Sequence, residues 1–117
     1  MSEERATRIP FNGTMEDWFY WLQMFMSRAQ YQGYHSILLG LEKPPADSAV
    51  IDESTDAGKE QMKLRKLNRR AHYELTMSMN LKTIGGKTAF RTVRNATSTD
   101  LPAGDAREAW LLSLIHI

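Results

Sequence analysis

Residues 14–33, with the sequence TMEDWFYWLQMFMSRAQYQG, decide the fold class of this chain. Apolar side chains recur there at intervals of three and four positions, at Trp18, Trp21, Leu22, Phe25 and Ala29. This spacing places them on one face of an α-helix. Thr14 suits the N-cap of that helix, and Gly33 suits its end. The stretch therefore predicts a long amphipathic helix.

Similar spacing recurs further along the chain. A second long helix is predicted from about Gly58 to Asn80, and a short helix or turn over residues 34–39. Gly85-Gly86 is expected to interrupt the helical structure before a shorter helix over residues 87–96. No run of alternating β-branched residues predicts a strand.

The last predicted helix begins at Asp105, which suits an N-cap, with Glu108 completing a capping box three residues later. Residues 44–57 and 95–104 are rich in Pro, Ser, Thr, Asp and Gly, and we expect exposed loops there. The sequence as a whole therefore predicts an all-α fold of roughly five helices.

Length and composition restrict the class of protein. The chain has 117 residues, of which 42% are hydrophobic and 25% charged, as expected for one soluble domain. The absence of cysteine excludes disulfides, cysteine-based zinc sites and a thiol nucleophile. The apolar runs are too short to span a membrane. Residues 1–10 are predicted to form a flexible arm without a secretory signal, so we expect a cytoplasmic location.

The formal net charge of +1 hides an asymmetry between the two halves of the chain. Residues 1–58 contain nine acidic and four basic residues, a balance of −5, whereas residues 59–117 contain eleven basic and five acidic residues, a balance of +6. Such a distribution is typical of a nucleic-acid-binding face. It is equally consistent with solvated surfaces, or with acidic and basic faces that meet within or between molecules.

No set of residues predicts catalysis. His35 and His72 lack a second His or a carboxylate three or four positions away, which a helical metal site or general base would need. Gly85-Gly86-Lys87-Thr88 ends like a phosphate-binding loop, but Leu81 stands where that motif requires glycine. We therefore expect no enzyme activity, cofactor, metal or small-molecule substrate.

A cluster of basic residues lies in the second long helix, at Lys63, Arg65, Lys66, Arg69 and Arg70. Their spacing places Lys63, Lys66 and Arg70 on one face and Arg65 and Arg69 on another. Such residues beside an apolar stripe are commonly the solvated sides of an amphipathic helix. The alternative is contact with nucleic-acid phosphates, which would not read sequence. The stretch has no interleaved aromatic residues for base stacking, which disfavours single-strand binding.

A set of large apolar residues has two interpretations. It comprises Phe11, Trp18, Trp21, Leu22, Phe25 and Trp110. These side chains can form the core of the domain. Trp and Phe also anchor protein interfaces, so the same set can form a self-assembly surface. Spacing alone does not distinguish the two.

Several short motifs follow one another in an order that resembles that of a known protein family. Phe11-Asn-Gly13 leads into an aromatic helix, which is followed by Gly33-Tyr34 and Leu38-Leu-Gly40. Lys63-Leu-Arg-Lys-Leu-Asn68 and Gly86-Lys-Thr-Ala-Phe90 come next, and the block Val93–Leu111, VRNATSTDLPAGDAREAWL, comes last. This arrangement resembles the N-terminal, capsid-like part of the Gag polyprotein of copia-type LTR retrotransposons.

The resemblance covers residues 9–111 and implies a helical Gag-like domain over 11–111. It implies a structural protein that assembles with further copies of itself into particles enclosing the RNA of the element. Family members often carry a zinc knuckle downstream for RNA binding. Within the present chain, only the basic helix could bind RNA.

The last six residues, LSLIHI at positions 112–117, resemble a translated transposase end sequence from sequencing-library adapters. A helix capped at Asp105 is expected to continue beyond this point. We therefore expect residues 112–117 to be a non-native tail and the natural chain to be longer, truncated here in its last helix. A genuine apolar C-terminus is the alternative.

Overall fold

The computed structural model describes residues 15–115, with side chains from Trp18 to Ser113. Five α-helices follow one another in this part of the chain, and no strand lies between them. Their bounds are Met15–Gln32 (α1), His35–Leu38 (α2), Asp56–Met77 (α3), Ile84–Arg94 (α4) and Ala106–Ile115 (α5). The predicted all-α fold of about five helices is confirmed. The arm predicted over 1–10, Phe11 and the Thr14 cap lie outside the described residues.

The core forms where Trp110 of α5 packs against two aromatic rings of α1. The Trp110 ring centroid lies 5.9 Å from those of Trp21 and Phe25, which stack on each other at 5.5 Å. Aromatic pairs of this kind contribute about 0.5–1.5 kcal/mol beyond the area that they bury. Fully buried side chains from the other helices complete the core, at Ile37, Leu38, Ala71, Leu75 and Val93. All five helices therefore share one core.

Polar side chains join α1 to α3 along their length. The Trp21 indole N–H donates to the Ser78 hydroxyl at 3.0 Å, and Arg28 forms a bidentate contact with Glu74, at 3.2 and 2.8 Å. Later residues of α1 thus contact earlier residues of α3, so the two helices run antiparallel. The Arg28–Glu74 pair lies at the edge of the core, where both side chains are largely shielded from solvent.

A buried amide joins α3 to the start of α5. Asn68 is only 2% exposed; its Nδ2 donates to the Gly104 carbonyl at 3.0 Å, and its Oδ1 accepts from the Ala106 N–H at 3.0 Å. The predicted cap at Asp105 is confirmed, because its carboxylate accepts from the Glu108 N–H at 3.1 Å. The reciprocal half of the capping box is absent, since the Asp105 N–H donates to Ala96.

The chain before α3 is held against the loop before α5. The Asp47 N–H donates to the Asp100 carbonyl at 2.8 Å, and the Asp47 carboxylate accepts from the Ala103 N–H at 3.1 Å. Pro44 is buried, although most residues from 48 to 55 are exposed, as predicted. The predicted loop 44–57 is two residues too long, because α3 already begins at Asp56.

The helices α3 and α4 begin with the same local structure. Thr55 and Thr83 are the N-caps, and each hydroxyl accepts from the N–H of a glycine three residues later, at 2.9 Å in α3 and 3.0 Å in α4. Before each cap, an Asp or Asn side chain accepts a backbone N–H two residues on. The sequence pattern common to both starts is an acidic or amide residue, then Thr, then Gly, each three positions apart.

The prediction that Gly85-Gly86 interrupts the helical structure is wrong. α4 begins at Ile84, three residues before the predicted start, so both glycines lie in its first turn. A Cβ atom at Gly86 would lie 1.9 Å from the Asn80 carbonyl oxygen, and one at Gly58 would lie 1.7 Å from that of Asp52. Glycine is therefore needed at both positions for close backbone packing rather than as a helix breaker.

We expect Gly86→Ala to lower the free energy of unfolding by about 1–3 kcal/mol, because the added methyl group forces the Asn80 turn away from α4. Urea denaturation followed by circular dichroism measures the change. Lys87→Ala, at an exposed position of the same turn, is the matched control and is expected to change stability by less than about 0.5 kcal/mol. Equal effects of the two substitutions would contradict the prediction.

Asn68→Ala is expected to lower the free energy of unfolding by about 2–4 kcal/mol, because it leaves a buried carbonyl at Gly104 and a buried N–H at Ala106 unpaired. Asn95→Ala replaces an exposed amide and is expected to have little effect. The same denaturation measurement compares them. A stability of Asn68→Ala close to that of the unsubstituted chain would show that these bonds do not hold α5.

Candidate functional site

All five predicted basic candidates lie on α3, but the structure does not bring them to one surface. Lys63, Lys66, Arg69 and Arg70 are exposed, whereas Arg65 is half-buried. The exposed four divide between two grooves on different sides of the helix. The helix α3 has 22 residues and is about 33 Å long. It is therefore long enough to carry two separate surfaces.

The Arg65 side chain forms hydrogen bonds within the fold. Its Nη2 donates to the carbonyl oxygens of Ala46 and Ala49, at 2.8 and 2.9 Å. These bonds hold the loop before α3 against the helix. The guanidinium is thereby used within the fold, and we leave Arg65 out of the candidate nucleic-acid surface.

The first groove, which we call the basic groove, is lined by four cations of α3: Lys59, Lys63, Lys66 and Arg70. It has a volume of about 370 Å³, and the single acidic residue lining it is Glu53. The four cations are spaced at intervals of three and four positions, which places them on one side of the helix. Lys59 was not among the predicted residues, although the same spacing extended one turn back would have found it.

One member of the basic groove is held in place by α1. Arg70 Nη1 donates to the Gln32 side-chain oxygen at 2.9 Å. This neutral partner fixes the guanidinium without cancelling its charge. The groove therefore concentrates positive charge, and the physical interaction that it supports is binding of an anion such as a phosphate group.

The second groove, which we call the ring-lined groove, lies between α3, α4 and the loop before α5. Its volume is about 320 Å³. Two arginines and three ring-bearing side chains line it: Arg69, Arg94, His72, Tyr73 and Phe90. Residues 63–70 contain no aromatic residue, and the rings beside Arg69 come from outside that stretch. Phe90 comes from a different helix, so spacing within α3 could not have found it.

The predicted apolar set is mostly core. Trp21, Phe25 and Trp110 are buried, and Trp18 and Leu22 are half-buried and pack against the same core. These side chains are therefore engaged within the domain rather than presented as a whole to another molecule. The exposed side of α1 carries other residues instead.

The exposed side of α1 contains no charged residue between positions 18 and 32. The exposed residues are Phe19, Tyr20, Gln23, Ser27, Gln30 and Tyr31, and we call them the neutral face of α1. The only charged residue in this interval is Arg28, which is paired with Glu74. Tyr31 is 75% exposed and Tyr20 is 65% exposed, so large aromatic surfaces lie in contact with solvent.

Two titratable groups of the described chain, Tyr34 and His72, form hydrogen bonds within the fold. Burial, and then the adjacent Glu74 carboxylate, raise the pKa of Tyr34 far above its usual value, so its hydroxyl stays protonated and donates to Glu74. The His72 Nε2–H donates to the Val93 carbonyl at 2.8 Å. Within residues 15–115, no three His, Cys, Asp or Glu side chains are grouped as a metal site would require.

None of the helices that the structure describes is both long and apolar enough to cross a membrane. Comparison of the chain with protein-family models, with curated proteins and with solved structures found no match.

Proposed function

We propose that this chain is the capsid-like part of a Gag-like structural protein from a copia-type retrotransposon. In this role it associates with further copies of itself in the cytoplasm and encloses the RNA of the element. The proposal starts from the order of motifs over residues 9–111, and the all-α fold is compatible with it. No catalytic step is assigned to the chain.

The observation that carries the self-assembly proposal is the neutral face of α1. Protein interfaces are enriched in aromatic residues and depleted in charged residues at their centres. The neutral face has both properties, because it carries three exposed aromatic rings and no charge. Exposed aromatic rings on an uncharged surface are typical of an interaction site.

A second copy of the chain is the partner that this face suits best. The face offers no charge to pair with a charged partner, and burying charged groups against it would leave them unpaired. Glutamine side chains both donate and accept hydrogen bonds, so Gln23 and Gln30 can pair with the same residues of another copy. The two surfaces would then be self-complementary, as symmetric homo-oligomers require.

A nucleic-acid-binding module is the second candidate function, and the basic groove favours it. Three of the predicted residues, Lys63, Lys66 and Arg70, line this groove together with Lys59. Their charges would attract phosphates without reading a base sequence. The two proposals are compatible, because a protein that encloses RNA benefits from phosphate contacts.

We expect the chain to form oligomers as its concentration rises, and Tyr31→Glu to shift the protein towards monomer. The substitution places a negative charge at the C-terminal end of the neutral face, while the exposed position leaves folding unaffected. Sedimentation velocity measures the distribution. Tyr73→Glu, at an exposed tyrosine of α3, is the control and is expected to assemble normally. A chain that stays monomeric at every concentration would contradict the proposal.

The double substitution Lys63→Gln and Lys66→Gln is expected to weaken binding to single-stranded RNA and to lower the slope of log affinity against log salt by about 1.4, or 0.7 for each lost phosphate contact. Filter binding at several salt concentrations measures this. Lys82→Gln and Lys87→Gln together remove two exposed lysines outside the basic groove and serve as the control. Identical slopes for both double variants would argue against the basic groove as the RNA surface.

A further inference from the structure

The two arginines of the ring-lined groove are exposed and locally uncompensated. Arg69 comes from α3 and Arg94 from the last turn of α4. Neither guanidinium forms a hydrogen bond or salt bridge within the part of the chain that the structure describes. None of the residues that line the groove is acidic. The groove thus presents two cations that the fold itself does not use.

Two of the three rings beside these arginines are held in defined positions. Phe90 packs against the core, and the His72 ring is anchored by its bond to the Val93 carbonyl. Tyr73 is 64% exposed on the same groove. Gly104 packs closely against the His72 ring, because a Cβ atom there would lie 2.8 Å from Nδ1, and His72 stays half-buried. The groove therefore offers ring surfaces next to positive charge.

We infer that the ring-lined groove binds one unstacked nucleotide of single-stranded RNA. The base lies against the rings of Tyr73, Phe90 and His72, and the adjoining phosphates contact Arg69 and Arg94. Single-stranded nucleic acids are bound in this way, by stacking of bases on aromatic side chains and by cations that follow the backbone. A nucleotide is the ligand that combines a flat aromatic group with an adjacent anion.

The basic groove lies on the adjacent side of α3. Lys66 of the basic groove is three residues from Arg69 of the ring-lined groove, and Arg70 is three residues from Tyr73. Residues three apart on a helix are surface neighbours, with about 5–6 Å between their Cβ atoms. A single strand can therefore place one base among the rings while its flanking phosphates contact the basic groove.

A duplex does not suit the ring-lined groove, because its bases are stacked and paired. An acidic peptide would pair with the arginines but would leave the rings without a planar partner. The inference rests on the proposed function only for the identity of the nucleic acid as RNA. The binding site itself is argued from the residues of the groove.

Fluorescence anisotropy with labelled oligouridylate and with an RNA duplex of equal length tests the inference, using the full 117-residue chain. Tyr73→Ala is expected to weaken binding of the single strand by about 5- to 100-fold, the loss typical of one base stack. Binding of the duplex is expected to be unchanged. Tyr73→Phe keeps the ring and is expected to retain the affinity within about twofold.

Tyr31→Ala is the matched control, since Tyr31 is an exposed tyrosine outside the groove. Its affinity is expected to equal that of the unsubstituted chain at protein concentrations where both sediment as monomers. Equal losses for Tyr73→Ala and Tyr31→Ala would overturn the inference. Equal losses of single-strand and duplex binding in Tyr73→Ala would also overturn it.

The arginines are tested by their effect on salt dependence. Arg94→Gln is expected to lower the slope of log affinity against log salt by about 0.7, the value for one phosphate contact of a single strand. Arg91→Gln, an exposed arginine of α4 outside the groove, is expected to leave the slope unchanged. Equal slopes for the two variants would overturn the inference. Sedimentation of the unsubstituted chain separates this result from the proposed function, because that proposal fails if the chain stays monomeric, whatever the RNA-binding result.

Discussion

Two hydrogen bonds from the buried Asn68 amide fix the position of α5, and much of the remaining structure depends on them. They satisfy a backbone carbonyl at Gly104 and a backbone N–H at Ala106 that no solvent reaches. Because these groups lie at the start of α5, the bonds set where Trp110 meets the aromatic rings of α1. A buried side-chain amide in the middle of a helix destabilises the fold unless its donor and acceptor groups are hydrogen-bonded. The Asn68 amide therefore favours a single arrangement of α3 and α5.

The loop before α5 links the core to the ring-lined groove. Asp47 accepts a hydrogen bond from Ala103, and Arg65 binds the carbonyls of Ala46 and Ala49, so the two loops and α3 form one connected unit. Gly104 belongs to this unit and also borders the ring-lined groove. The shape of that groove is therefore set by the packing of α5, not by α3 alone.

The sequence predicted the features that depend on neighbouring residues. The face of α1 that packs inwards and the cap at Asp105 both follow from local spacing and local hydrogen bonding. Gly85-Gly86 shows the limit of such reasoning, since glycine was interpreted as a breaker when its actual role is to let α4 pack against the Asn80 carbonyl. The pattern of Thr followed by Gly three positions later, present twice, was the signal that would have corrected this interpretation.

The candidate surfaces were harder to predict, because they depend on residues that are distant in the chain. Arg65 and Arg69 are four positions apart and were grouped together, yet one binds loop carbonyls and the other lines a groove. The difference arises from the path of residues 46–49, which spacing on α3 does not reveal. In the same way, Phe90 lines the same groove as Tyr73 only because α4 packs against α3.

The near-neutral net charge of the chain conceals a separation of charge between helices. The outer side of α1 is uncharged from position 18 to 32, whereas the exposed sides of α3 and α4 carry the cations of both grooves. An uncharged surface suits contact with another copy, because like charges would not be forced together, and a cationic surface suits a polyanion. Since the two surfaces belong to different helices, contact between copies through α1 need not cover the cations of α3. Binding of a polyanion would also reduce repulsion between the cationic surfaces of neighbouring copies, so the two interactions are expected to support each other.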